Sequence, residues 1–161
     1  MQAGLTLLML LVSVVDDLKT KKIHNALALS CAAIALIFIG VMHGSGGFMT
    51  ALISLATALV AILPLYLMKV FGGGDVKIFA AVSLLMSWQG VLMTLVTSVI
   101  WGSVLGIFMV VMKGQGKAFA TNLMSMAHQK KPEASKLHKV PYSVALLFGF
   151  MTHLILSGGI S

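Results

Sequence analysis

The sequence predicts an all-α fold, a polytopic membrane helix bundle of six transmembrane helices with both termini extracytoplasmic. Three observations predict it. Of 161 residues, 59% are hydrophobic and 9% charged, against about 25% charged in an ordinary soluble domain; with a mean hydropathy of +1.05, most of the chain needs lipid as its solvent. The apolar residues form long unbroken runs, not the alternating pattern of barrel strands, and in lipid only helices or closed barrels satisfy every backbone polar group. All 11 basic residues are lysines, and they fall in, or within two residues of, only three of the breaks between apolar runs.

The runs are Ala3–Val15, Ala26–Met42, Phe48–Met68, Val76–Met86, Val91–Met112 and Pro141–Leu156. They predict helices over about 3–17, 26–42, 48–69, 76–87, 91–112 and 141–157, in a single membrane-embedded domain over 1–161. The first run has no basic residue before it and no A-x-A site after it, so it is a membrane helix with its N-terminus outside, not a signal peptide. To reach the inner face it must continue through Asp16 and Asp17, with nearby lysines reaching the headgroups. Asn25 is a candidate N-cap for the second helix, and His43–Gly47 separates the second from the third. A single helix from Val76 to Met112 would be about 56 Å long, too long for a hydrocarbon core of about 30 Å. A turn at Ser87–Gly90 therefore makes two helices of it. The fourth run spans only about 17 Å, so its helix must begin below the cytoplasmic surface or the bilayer must thin there. Gly102 and Gly106 form a small-xxx-small pair that predicts close helix packing. In the predicted cytoplasmic loop 113–139, Phe119, Leu123, Met124 and Ala127 recur at helical spacing. Either that part lies flat on the membrane or the loop is a solvated linker touching anionic headgroups.

Sidedness follows from the lysines. Lys19, Lys21 and Lys22, then Lys69 and Lys77, then Lys113, Lys117, Lys130, Lys131, Lys136 and Lys139 are placed in the cytoplasm by the positive-inside rule. An even number of crossings must separate the clusters, and six helices satisfy that. The net charge of +7 is then a record of membrane orientation, and nucleic acid is not an expected partner. One cysteine, Cys31, excludes an internal disulfide and a CxxC zinc site; it reads as a small packing residue.

Only four residues are acidic: Asp16, Asp17, Asp75 and Glu133. The first three sit at membrane ends and, by this topology, on one side. Ionisable groups near hydrocarbon are costly and are functional candidates by default. Two carboxylates at close range share a proton, so one can activate water while the other donates to a carbonyl. No Ser–His or Cys–His system competes, and His24, His43, His128, His138 and His153 show no ligand spacing. Gly72-Gly73-Gly74 before Asp75 frees the backbone for positive φ and for hydrogen bonds to an extended peptide. The bland readings stand beside these: Asp75 as a helix N-cap, and Asp16 and Asp17 as neutralisers of neighbouring lysines.

The stretch Asp17-Leu-Lys-Thr-Lys-Lys-Ile-His-Asn25 resembles the first catalytic segment of the type IV prepilin peptidases, an aspartate followed by basic residues and I-P-N. Phe71-Gly72-Gly73-Gly74-Asp75-Val76-Lys77 is similar to their GxGD-V-K motif. Val140-Pro141-Tyr142 resembles the start of their final helix. The resemblance spans nearly the whole chain. It implies an aspartic endopeptidase of the inner membrane that cleaves the leader of type IV pilin-like precursors, just after a glycine, at the cytoplasmic face. Asp17 and Asp75 match the water-activating dyad, with Asp16 a neighbour of the catalyst; Gly72 and Gly74 match the fixed glycines. No metal or organic cofactor is implied. His24 occupies the usual proline position, where a histidine would not stiffen the chain as proline does. The chain resembles the short Flp, tight-adherence form without the paired CxxC region, so N-methylation is not expected. The competing classes are an ion-coupled transporter, whose acids would lie near the midplane in an inverted repeat, and a non-catalytic subunit of a pilus machine, which would need no acid pair.

Overall fold

In the computed structural model, which describes residues 2–20, 24–68, 71–112 and 142–158, the chain is all helical and has no strand among those residues. Helix α1 is Gln2–Thr20 and α2 is Asn25–Leu67, broken at Gly44. Helix α3 is Gly73–Ser83, α4 is Trp88–Met112 and α5 is Tyr142–Leu156. Gly44 has φ 58° and ψ −150°, a combination essentially confined to glycine. It divides α2 into two arms, Asn25–Gly44 and Gly46–Leu67. Both outer ends of the arms reach the first turns of α3. Asn25 bonds to Lys77 at 2.7 Å, and the Tyr66 ring lies 3.8 Å from where a Cβ on Gly73 would stand. The arms therefore double back, and the described residues form six helical rods.

Three rods are long and apolar enough to cross a membrane: Asn25–Gly44, Gly46–Leu67 and Trp88–Met109. Helix α5 is a shorter apolar helix, α1 carries Asp16, Asp17 and Lys19 in its last turns, and α3 has only 11 residues. The predicted segment 113–139, with its candidate surface stripe, lies outside the described residues, as do Lys21, Lys22, Lys69, Val140 and Pro141.

The short α3 is the hub. Ile78, Phe79 and Val82 are fully buried, together with Leu10 of α1, Ile62 of α2, Val91 of α4 and Leu146 of α5. Its neighbours are α2, α1 and α5, while α4 packs most extensively on α5. Small residues and polar contacts make that last interface, as they do where lipid removes any hydrophobic drive between helices. A Cβ on Gly149 would stand 2.7 Å from the Ser98 backbone N. Thr97 Oγ1 donates to the Gly149 carbonyl at 2.9 Å, Tyr142 O–H to the Ser98 carbonyl at 3.1 Å and Trp101 Nε1 to Thr152 Oγ1 at 2.9 Å. Of the predicted small-residue pair, only Gly102 makes a close contact. A Cβ there would meet the Tyr142 ring at 2.7 Å, while nothing lies within 4 Å of one on Gly106. Cys31 is buried.

Candidate active site

The ends of α1, α2, α3 and α5 that flank the lysine-bearing breaks meet at one end of the bundle. Asp17, in the last turn of α1, accepts a hydrogen bond from Ser143 Oγ at 2.6 Å. Ser143 is buried in the first turn of α5. Its neighbour Tyr142 packs on Phe71 with ring centroids 4.0 Å apart, and Phe71 leads into Gly72 and the start of α3. The start of α5 thus touches both segments that carry the predicted aspartates. Asp75 lies outside the three long spans, in the first turn of α3. Burial pushes its carboxyl up, and the charge of Asp17 pushes it further the same way. A carboxyl whose ionisation is opposed by a neighbouring carboxylate meets the physical precondition for sharing one proton.

The local chemistry of Asp75 differs from the N-cap reading. Gly72 is the N-cap, and Asp75 stands three residues later. From there its Oδ2 accepts the Gly72 N–H at 3.1 Å, the reach-back half of a capping box. Gly72 has φ −78° and ψ 154°, and among the described residues positive φ occurs only at Gly44 and Gly158. The glycine run is therefore not needed for a left-handed turn. Gly72 is needed for space, because a Cβ there would stand 3.0 Å from Asp75 Oδ2. Gly74 lies half-buried in the first turn of α3.

Two further expectations change. Asn25 does not cap its helix; His24 holds the N-cap position, and Asn25 Oδ1 accepts from Lys77 Nζ at 2.7 Å. Among the described residues Asp16 bonds to His24 and not to a lysine. It takes the His24 backbone N–H at 3.2 Å and the His24 Nδ1 at 3.1 Å. His24 sits at φ −69° and ψ 138°, within the range to which a proline ring would confine φ.

Ser143 and the His24 and Lys77 contacts were not singled out as site chemistry in the sequence. The available signal for Ser143 was a lone hydroxyl beside Tyr142, at the head of an apolar run. A cavity of about 470 Å³ lies at the opposite end of the bundle, lined among others by Gln2, His43, Ser87 and His153. No aspartate reaches it. Among the described residues no group of three His, Cys, Asp or Glu side chains is arranged to hold a metal.

The family model described as the type IV leader peptidase family matches residues 4–107, a stretch that contains both Asp17 and Asp75. No curated protein and no solved structure gives a significant match.

Proposed function

The chain belongs to the type IV leader peptidase family, and from that premise we propose that it is an aspartic endopeptidase that removes the leader from type IV pilin-like precursors of the Flp type. Asp17 and Asp75 are its dyad. The observation that carries this reading is the start of α5, where Ser143 bonds to Asp17 and Tyr142 packs on Phe71, in the segment that leads into Asp75.

Burial and the Asp17 charge favour the protonated form of Asp75, so Asp75 carries the shared proton. Asp17, held by Ser143, takes a proton from water as the water oxygen attacks the scissile carbonyl carbon. Asp75 gives its proton to the carbonyl oxygen. Collapse of the resulting gem-diol breaks the C–N bond as Asp17 gives its proton to the leaving nitrogen and one diol hydroxyl returns a proton to Asp75, which restores the singly protonated dyad. The exposed backbone at Gly72 and the bare Gly74 offer an extended substrate a close approach. The reading takes residues 1–161 as one peptidase domain with six crossings of the inner membrane. Both termini are extracytoplasmic and the dyad is at the cytoplasmic face, the side to which the lysines point. The membrane-crossing lengths of three rods support it.

Cleavage of a co-expressed Flp-type prepilin, followed as a size shift on a gel, tests the proposal. At equal membrane abundance Asp17→Asn and Asp75→Asn abolish cleavage, whereas Asp16→Asn still cleaves. Full cleavage by both dyad variants sinks the mechanism.

A further inference from the structure

Helix α1 packs against α5 and α3 but makes no comparable helix-to-helix contact with α2. Polar contacts tie those two helices at both ends. At the far end Gln2 Nε2 meets His43 Nε2 at 3.3 Å. At the aspartate end the tie is Asp16 with His24, in which one carboxylate holds both the backbone N–H and the ring Nδ1 of the same residue. His24 in turn opens α2, its carbonyl accepting from the N–H groups of Leu27 at 3.1 Å and Ala28 at 3.3 Å. The next residue, Asn25, is bonded to Lys77, two positions after Asp75. A continuous polar strut therefore runs from the neighbour of Asp17, through the start of α2, to the second turn of the helix that carries Asp75.

We infer that Asp16 and His24 form a positioning clamp for the dyad, which holds the start of α2 so that the Asp17 end of α1 and the Asp75 end of α3 keep one separation. The inference rests on the dyad reading above. An exposed ion pair contributes little to stability by itself, and the His24 side chain is 60% exposed. The work of the clamp is geometric: a displacement of about 1 Å in a reacting group costs up to about 100-fold in rate. His24 holds φ at −69°, a value that a proline ring imposes without any partner. That gives a specific rescue.

The experiment has two arms. In steady-state cleavage of the prepilin, Asp16→Ala lowers kcat about tenfold at unchanged KM. His24→Ala does the same, the Asp16→Ala/His24→Ala pair loses no more than either, and Asp16→Ala/His24→Pro recovers most of the loss. In the second arm, spin labels at Leu18→Cys and Leu29→Cys, in a Cys31→Ala background, report the distance between α1 and α2. The distribution broadens with Asp16→Ala and narrows again with Asp16→Ala/His24→Pro. Wild-type kcat in Asp16→Ala, or a kcat loss that proline does not restore, overturns the clamp. So does an unchanged distance distribution, which would give Asp16 a direct part in the chemistry. If Asp17→Asn still cleaves, the dyad reading is the one that has failed, and the distance arm, which needs no turnover, decides the clamp alone.

Discussion

Replacing Ser143 with alanine removes one oxygen atom and nothing else, and its effect on catalysis follows from a single bond. The hydroxyl donates to Asp17 Oδ2 at 2.6 Å, within the range for O–H donation to a charged oxygen. Ser143 is only 2% exposed, so water does not readily replace the lost donor. A hydrogen bond to a charged group contributes about 1.5–3 kcal/mol. If the bond holds Asp17 in the geometry in which it takes the proton from the attacking water, its loss raises the barrier by that amount, about 10- to 150-fold in kcat. KM stays near the wild-type value, because Ser143 is buried and spends its hydroxyl on the aspartate. The assay is initial-rate cleavage of a detergent-solubilised prepilin across a range of substrate concentrations, with circular dichroism to show equal helix content. Ser143→Thr keeps the hydroxyl and recovers part of the rate. Wild-type kcat in Ser143→Ala, alongside an inactive Asp17→Asn, would refute the argument that this bond organises the dyad.

Other consequences are read more simply. Gly149→Ala drives a methyl into the Ser98 backbone and lowers the thermal midpoint in detergent, at a cost of about 1–3 kcal/mol; Gly106→Ala, with open space around it, leaves the midpoint unchanged or raises it. For Asp75 the sign is set by the two causes that raise its carboxyl, burial and the Asp17 charge. The folded protein holds that proton more tightly than the unfolded chain, so the associated stability is present at low pH and lost as pH rises through the folded titration. Asp17→Asn removes the second cause and moves the Asp75 titration to lower pH, seen as earlier loss of the protonated-carboxyl stretch in infrared spectra; an unmoved or rising titration would mean the two groups are not coupled.

Much of the architecture was legible because the bilayer imposes one rule on every residue. Unbroken apolar runs must be helical to satisfy their backbone, and glycine and polar clusters end them, so the described helices follow the runs. The two aspartates stood out as candidates for a related reason: in a chain with four acids, a carboxylate at a membrane end is expensive. Hydropathy and charge are properties of residues one at a time, and they carry no information on which partner a polar side chain finds across the bundle. Ser143 lies 126 positions from Asp17, and Lys77 lies 52 from Asn25. Only the packing of α5 and α2 around α3 made those pairs. The same holds for Asp75, which a local reading places at an N-cap and the fold places three residues inside, bonded back to Gly72. Sequence alone thus determined the solvent, the helices and the candidate acids. Tertiary structure decided which acid is held by what, because hydrogen bonds need a distance and a direction, and those exist only once the helices have packed.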